Sequence, residues 1–446
     1  MIAFINLLLK RPKFLLACCF IATTFISSIK VVAQTQIIGE LNNINNKITS
    51  MSYGTGKSML ISNKAMNIFL SNKLSSYLSG DEDLSLYKNY ITLNTAEGKL
   101  AIEHNFHQPV DSDDYVRSFT VVGARVNVAN TYASKFSNKY FDNQLGVRIQ
   151  QTWMGKPVTS HDKSGTQKQF MDSNRAVILL NLEAEINKKA FDFEQSLNSI
   201  KQTDIPGQNI TTAKEVLKQS FYSELRAEYL QKFSEAQADL LIRSGSYNSI
   251  SDNWTSLSAY LPVIRQQFKV SNAIGTQINN RYTYPFEISI THTRFWESFK
   301  AGRIFFTLNA KAKLNNTIQN GLLSPANMVS DLNDQNNTIM NNGNVWIGDF
   351  KNFITPIAAC KLVYIPPNSH VGASFRIEQN IGRYHALNAI LGIPIVLIDK
   401  KGAPAITFEC QLLYSDWNNS ITPARLPGNK TAVGVTVGIP FSKIVY

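Results

Sequence analysis

The feature of this sequence that most constrains its fold is an alternation of apolar and polar side chains with a period of two residues, which recurs in many segments. The final segment sets Val433, Val435, Val437, Ile439 and Phe441 against Gly434, Thr436 and Gly438. Because successive side chains of a β-strand point to opposite faces, each such segment predicts a strand with one apolar face. The chain is therefore expected to be mainly β.

The length of these segments indicates the kind of β-protein. With weaker candidates at 88–95 and 98–106, we expect about twelve strands. One of them sets Ile178, Leu180, Leu182, Ala184 and Ile186 against Asn181, Glu183 and Glu185. Strands of globular domains usually have about five or six residues, whereas tilted strands that cross a membrane need roughly nine to eleven. The segments fit the membrane case better.

Aromatic residues and connection lengths support the same interpretation. Aromatic side chains stand toward the ends of the predicted strands, at Trp153, Trp296, Tyr364, Tyr414 and Trp417. Short connections at 297–301, 366–369 and 400–402 alternate with long ones at 129–144, 188–282, 315–352 and 417–429, while the links at 382–383 and 156–175 break this alternation. Aromatic girdles, short turns on one side and long loops on the other are typical of membrane barrels.

The N-terminus predicts export. A basic cluster at Lys10, Arg11 and Lys13 precedes an apolar run over 14–29 and the permissive end Val31-Val32-Ala33, so residues 1–33 are expected to form a cleaved signal peptide. A lipobox-like stretch that ends at Cys18 leaves lipidation as an alternative. Removal of residues 1–33 takes away four Lys/Arg and lowers the net charge from +12 to +8. No dense Lys/Arg block indicates nucleic acid binding.

The remaining chain divides into four predicted parts. These are a polar N-terminal segment at 34–87, the first barrel strands at 88–187, a helical insertion at 188–282 and the remaining strands at 283–446. In the insertion, Thr212 and Glu215 form a capping box, an amphipathic stripe follows, and Gly245 is a stop signal. A second helix is expected around 252–268. Five predicted strands precede the insertion, which favours the outer side of the barrel, with a lumen plug as the alternative.

The terminal strand carries a resemblance to a known class. Together with the signal peptide and the alternating strands, the stretch from Gly434 to Phe441 ahead of Tyr446 resembles a Gram-negative outer-membrane β-barrel protein, without indicating a specific family. The resemblance implies an all-β fold: an antiparallel transmembrane β-barrel of about twelve strands with a helical insertion. It also implies the cell outer membrane as location, with outer-membrane lipid and the barrel-insertion machinery as partners. The expected role is a pore, a transport component or a surface-binding scaffold.

The candidate functional residues are charged side chains expected to face the barrel lumen. They are Arg117, Arg125, Arg148, Glu183, Glu185, Glu287, Arg303, Lys311, Lys313, Lys361, Arg376, Glu378 and Glu409. One interpretation is that they form internal salt bridges that fill a narrow barrel; the other is a weakly anion-preferring channel.

Other motifs assign no catalytic, cofactor or metal site. The stretch 53–58 resembles a phosphate loop but has Met51 where the motif needs Gly. Glu103, His104 and the acidic residues after them fit a solvated turn better than a metal site. The chain is therefore expected not to be an enzyme, although a barrel-embedded hydrolase remains an alternative. A second alternative is a secreted or periplasmic soluble β-protein that binds a protein or glycan partner through 188–282.

The two cysteines outside the predicted signal peptide are expected to stay reduced. Cys360 and Cys410 lie on predicted strands with two further strands between them, so they are roughly 14 Å apart across the sheet. A disulfide needs Cα atoms within about 7 Å. We therefore expect two free thiols that water reaches poorly.

Overall fold

The computed structural model divides the chain into two compact units. It describes residues 33–74, 89–95, 99–106, 114–127, 145–201, 209–263, 265–273, 277–318, 323–326, 345–383, 385–398, 404–420 and 431–441. The helical unit comprises the described residues of Met1–Ala65 and His161–Ser246. The barrel unit comprises those of Met66–Ser160 and Tyr247–Tyr446. The predicted signal peptide lies outside the described residues, apart from Ala33.

The barrel unit contains a closed antiparallel barrel. Twelve of its described strands form the barrel. They are β1 (Tyr90–Asn94), β2 (Lys99–Asn105), β3 (Ser118–Asn127), β4 (Leu145–Met154), β6 (Ser249–Pro262), β9 (Glu287–Ser298), β10 (Gly302–Asn316), β13 (Asn352–Ile365), β14 (Ala373–Asn380), β15 (Leu387–Ile398), β16 (Pro404–Tyr414) and β17 (Thr431–Pro440). The short strand β5 (Val158–Ser160) pairs with the beginning of β6.

Two pairings close the ring. β1 pairs with β17 from Tyr90 opposite Pro440 to Asn94 opposite Thr436. β4 pairs with β6 from Gly146 opposite Pro262 onward. A closed ring leaves no strand edge unpaired, which is what a sheet needs in lipid. The predicted fold class, an antiparallel barrel of twelve strands with inserted helices, is confirmed.

The barrel has two ends that the chain topology distinguishes. We call the end at which β1 begins and β17 ends the terminal end, and the other the distal end. Connections at the terminal end include 299–301, 366–372 and 399–403, whereas those at the distal end include 317–351 and 415–430. The predicted alternation of short and long connections therefore holds for these links.

The helical insertion begins earlier than predicted and leaves from the other end. The predicted strand at 178–186 is wrong, because these residues belong to helix α3 (Thr166–Ser199). Four barrel strands rather than five thus precede the insertion, and its links leave from the terminal end. The alternation misled because α3 has two opposite apolar faces, with Leu182 and Ile186 buried on one and Leu180 and Ala184 exposed on the other. On a helix, residues two positions apart are separated by 200° around the axis, so a helix with two opposite apolar faces has an apolar side chain at every second position.

The second predicted helix, around 252–268, is also wrong. Residues 249–262 form β6, and the chain continues into β7 (Gln266–Ser271). In β6 the side chains of Trp254, Ser256 and Tyr260 are buried while Leu257 and Leu261 are exposed, a strict period of two. The buried face includes polar residues such as Ser256, as is usual in a barrel with a polar lumen. The segment therefore lacks the clear alternation of apolar and polar residues by which the other strands were predicted.

A small second sheet forms within two distal connections. It consists of β7, β8 (Asn279–Thr283), β11 (Ser324–Ala326) and β12 (Val345–Ile347). Phe268, Val270, Ile318, Leu323 and Trp346 form its buried apolar cluster. This cluster gives the long distal connections a core of their own.

The described residues of the helical unit include three long helices. Helix α1 covers 33–50, α3 covers Thr166–Ser199 and α4 covers Ile210–Ser244. All three contribute to one apolar cluster, for example through Ile48, Ile186 and Phe233, which are fully buried. Helix α4 ends as predicted at Gly245, whose φ of 60° suits glycine, but it begins earlier than Thr212, with Asn209 as the capping residue.

A fourth helix, α2 (Asn63–Leu74), was not predicted and lies mainly in the barrel unit. Among the described residues, no helix combines the length and apolarity needed to cross a membrane.

Candidate functional site: the barrel lumen

The two faces of the barrel strands have opposite chemistry. On β9 the side chains of Glu287, Ser289, Thr291 and Thr293 are buried. Ile288, between them, is 49% exposed. The pattern recurs on β4, where Arg148, Gln150 and Thr152 are buried and Leu145, Val147 and Ile149 are exposed. An apolar outer surface around a polar interior is the reverse of a soluble protein and is what lipid requires.

The outer surface carries aromatic residues near the strand ends and includes a hydrogen-bonded pair of polar side chains. Trp153 and Tyr364 are exposed at the terminal ends of β4 and β13. On β6 and β9, Thr255 and His292 face outward and bond to each other, with 3.0 Å between Thr255 Oγ1 and His292 Nδ1. His292 therefore lies on the outer face rather than in the lumen.

Many of the inward-facing side chains at the terminal end of the lumen are apolar. Inward-facing residues there are almost completely buried: Tyr90, Phe119, Ile250, Trp254, Phe295, Phe305, Val363 and Ile365. The rings of Phe295 and Phe305, on neighbouring strands, have centroids 5.1 Å apart. Solvent therefore does not reach this layer of side chains.

Helix α2 belongs to this layer. Every residue from Met66 to Ser71 is buried, so this part of the helix presents no face to solvent. The Asn67 side chain bonds two backbone groups in the segment before β3. Its amide N–H donates to the Asp114 carbonyl and its side-chain oxygen accepts from the Val116 N–H, each over 3.3 Å. The Phe69 ring contacts the Tyr247 ring edge-on at 5.9 Å. Helix α2 is thus held inside the terminal end of the barrel.

One carboxylate anchors the end of α2. Glu297, inward-facing on β9, accepts a bond from Lys73 Nζ over 2.7 Å and another from the Tyr247 hydroxyl over 3.1 Å. Its side chain is only 5% exposed. A buried charge requires such a partner, because removal of one member of a buried pair costs about 3–5 kcal/mol.

A group of ion pairs crosses the distal half of the lumen. The Arg125 guanidinium lies 3.2 Å from the Glu287 carboxylate, and Lys313 lies 3.5 Å from the same residue. Arg125 also stacks 3.7 Å from the Tyr260 ring centroid. The Tyr260 ring fits because position 146 is Gly, where a Cβ would lie 2.3 Å from the ring.

Neighbouring pairs extend this network around the barrel wall. Arg148 donates to Glu103 over 2.9 Å and to Gln150 over 2.8 Å. On two other strands, β13 and β16, the side chain of Lys361 lies 3.8 Å from that of Glu409. Both pairs are nearly inaccessible to solvent. Glu409 also accepts a hydrogen bond from the Ser374 hydroxyl.

The remaining predicted lumen residues differ in their placement. Arg376 pairs with Glu378 over 2.9 Å on β14. Arg303 is inward-facing on β10 and donates to the Ser369 carbonyl over 3.2 Å. Lys311 is half-buried on the inward face of the same strand.

Three of the predicted residues do not line the lumen in this way. Arg117 is exposed and precedes β3. Glu183 and Glu185 are misplaced, because they belong to helix α3 of the helical unit, where Glu185 pairs with Lys232 over 2.8 Å. They were assigned to the lumen only through the wrong strand at 178–186.

Sequence reasoning missed three residues that the structure brings into the network. Lys73 and Glu297 form the anchor of α2, and Glu103 pairs with Arg148. A signal for Glu103 was present, since it alternates with Leu100 and Ile102 in the predicted strand at 98–106. Glu103 and His104, considered above as possible metal ligands, lie on opposite faces of β2, where Glu103 is buried and His104 is exposed. Within the described residues, no group of three His, Cys, Asp or Glu side chains could hold a metal ion.

The comparisons with known proteins are sparse. No protein-family model matches the chain, and no curated protein matches it. Among solved structures, the β-domain of the Bordetella autotransporter BrkA is 6% identical, with 80% of this chain and 97% of that chain covered and a TM-score of 0.30.

Two further solved structures are similar at the same low level. OmpT, an outer membrane protein of Vibrio cholerae, is 7% identical over 79% of this chain and 95% of its own, with a TM-score of 0.21. Wzi of Escherichia coli, a carbohydrate-binding β-barrel involved in group 1 capsule assembly, is 8% identical over 92% and 98%, with a TM-score of 0.19. Scores this low carry no argument. The predicted class, a barrel of the outer-membrane type, is confirmed by the closed strand order and the two faces of the wall.

Proposed function

We propose that this chain is a Gram-negative outer-membrane barrel that acts as a surface-binding scaffold and not as an open pore. The observation that carries this choice is helix α2, which is buried all round and lies within the apolar terminal end of the lumen. The ion pairs in the distal half of the lumen favour the same choice. Inward-facing charges that neutralise each other attract a charged solute less strongly than unpaired charges would.

The chain forms structured parts within connections at both ends of the barrel strands. The small sheet stands in the distal connections, and the helical unit is linked to the terminal end. The apolar outer wall and the expected signal peptide support placement in the outer membrane, and the terminal strand β17 is the segment that we expect the insertion machinery to read. A protein or glycan partner for the helices, predicted at 188–282, remains a prediction.

Single-channel recordings in planar bilayers test the closed lumen. The wild-type protein should insert without steady conductance steps. Lys73→Glu and Glu297→Lys each place like charges together at the anchor of α2, so each should produce steps as the helix loosens. The double variant Lys73→Glu/Glu297→Lys restores the pair and is the matched control; it should be silent again.

Large, steady conductance of the wild-type protein would contradict the proposal. So would identical conductance in all four proteins, because α2 would then not control the path. Folded insertion is checked separately by the altered gel mobility of unboiled samples.

A further inference from the structure

Helix α3 has an exposed apolar face that the described parts of the chain leave uncovered. Phe170, Val177, Leu180 and Phe191 are 44%, 56%, 66% and 63% exposed, and Ala184 between them is exposed as well. We call these five residues the α3 stripe. They lie on the side of the helix opposite to Leu182 and Ile186, which contribute to the core of the helical unit. Exposed contiguous apolar surface of this kind marks an interaction site.

The spacing of the α3 stripe is that of a coiled-coil seam. Phe170, Val177, Ala184 and Phe191 recur every seventh residue, and Leu180 occupies the intermediate position between the second and third of them. Apolar residues at these two heptad positions form a seam along a helix; here Ser173 and Asn187 interrupt it at two of the intermediate positions, and Asn187 accepts a hydrogen bond from Gln34 of α1. From Phe170 to Phe191 the seam runs about 32 Å. A helix is the partner whose shape fits such a seam.

The charges beside the α3 stripe fit a second copy of the same helix in parallel orientation. At 100° per residue, Glu183 lies along one edge of the stripe and Lys188 along the other, and both side chains are exposed. If two copies pack parallel and in register, opposite edges meet, and Glu183 faces Lys188 of the second copy, five positions on. The two-fold axis forms this pair twice.

An antiparallel arrangement lacks this complementarity. Equal edges would then meet, and in a pair centred on Leu180 the residue opposite Glu183 would be Ala176 of the second copy. The carboxylate would gain no partner across the seam. The charges beside the stripe therefore favour the parallel pair.

We propose that the α3 stripe is the interface of a symmetric dimer of this chain, in which α3 of one copy packs parallel to α3 of the other. A two-fold interface uses the same patch on both subunits, so a self-complementary stripe is what it requires. Packing of the two stripes removes the exposed Phe, Val and Leu side chains from water in both copies at once.

The first test compares two valines of similar exposure. Val177 is in the stripe and is 56% exposed, whereas Val216 is outside it on α4 and is 60% exposed. In detergent, light scattering after size exclusion should show a dimer for the wild-type protein. Val177→Asp should weaken dimerisation at least tenfold, and Val216→Asp should leave it unchanged. Circular dichroism and heat-dependent gel mobility check that both variants keep their helices and barrel.

The second test uses disulfide crosslinks along the seam. Cys360→Ala/Cys410→Ala provides a background without thiols in the mature chain. In a parallel, in-register pair each stripe residue meets its own equivalent, so mild oxidation in membranes should crosslink both Leu180→Cys and Phe191→Cys into covalent dimers. Val216→Cys in the same background should give no covalent dimer. In an antiparallel pair centred on Leu180, two Phe191→Cys thiols would lie about 33 Å apart and could not react.

A wild-type protein that is monomeric at micromolar concentration, with no crosslink at Leu180→Cys in a folded sample, would overturn the proposal. A crosslink at Leu180→Cys without one at Phe191→Cys would overturn the parallel pairing on which it rests. The dimer proposal would also be overturned if the protein is monomeric and Val177→Asp instead abolishes binding of a different protein, because the α3 stripe would then serve another partner.

Discussion

The apolar outer wall predicts how the protein responds to a charge placed at different depths on one strand. Ile393 lies at the middle of β15, is 52% exposed and stands opposite Cys410 on the next strand. Leu397 faces the same side near the terminal end of β15 and is 46% exposed. The two positions are four residues apart, which is about 10 Å of depth for a strand tilted by about 40°. Ile393→Arg and Leu397→Arg therefore differ mainly in depth.

The magnitudes follow from that depth. Arginine on the lipid face costs about 2–4 kcal/mol at the bilayer midplane and about 0–1 kcal/mol near the interface. Since each 1.4 kcal/mol is a factor of ten, Ile393→Arg should lower the folding equilibrium constant by roughly 30-fold to 700-fold, and Leu397→Arg by less than about 5-fold. The free energy of unfolding is measured by urea titration in phospholipid vesicles, with gel mobility of unboiled samples as the readout.

Equal effects at the two positions would refute the membrane interpretation. In water both side chains are about half exposed, so a soluble barrel would tolerate arginine equally well at either. A large loss at Ile393 alone requires a medium whose polarity changes along the strand.

Two further predictions concern the thiols and the helical unit. Cys360 and Cys410 are free, are separated by two strands and face outward, so a charged maleimide should leave both unmodified in folded protein in vesicles and label both after unfolding in urea; rapid labelling of the folded protein would place them in water. Asp162→Asn should lower the melting temperature of the helices at pH 7, because the Asp162 carboxylate accepts the N–H groups of Thr166 and Gln167 at the start of α3, over 3.0 and 2.9 Å. The hydrogen bond from the Ser164 hydroxyl, followed by that from the Gln167 N–H, lowers the pKa of Asp162 from 3.8 to about 2, so its contribution is complete above pH 3.8 and is lost as the pH falls through 2. Melts followed by circular dichroism between about pH 2 and pH 5 should therefore show a steeper acid loss for the wild-type protein than for the variant.

Local pattern was sufficient to predict strands in which one face meets lipid. In β17 the outward residues Val433 and Ile439 alternate with Gly434 and Gly438, and the strand runs from Thr431 to Pro440. The period of two, the small inward residues and the length all point to the same structure, so the prediction is confirmed. Helix α2 could not be predicted in this way. Its burial depends on side chains of distant strands, such as Glu297, and its own sequence has no amphipathic face to reveal it.

The two wrong segments explain why the predicted strand number agreed with the structure while the predicted side of the insertion did not. The sequence at 178–186 was assigned to a strand and is helical, whereas a helix was predicted around 252–268 and residues 249–262 form β6. The errors cancel in the count of strands. They do not cancel in topology, because each antiparallel strand carries the chain to the opposite end of the barrel. Moving one strand from before the insertion to after it therefore transfers the links of the helical unit from the distal to the terminal end. If the termini lie in the periplasm, as in outer-membrane barrels generally, the links that lead to α3 leave the barrel strands on the periplasmic side, and a second copy inserted in the same membrane has its own links on that side too.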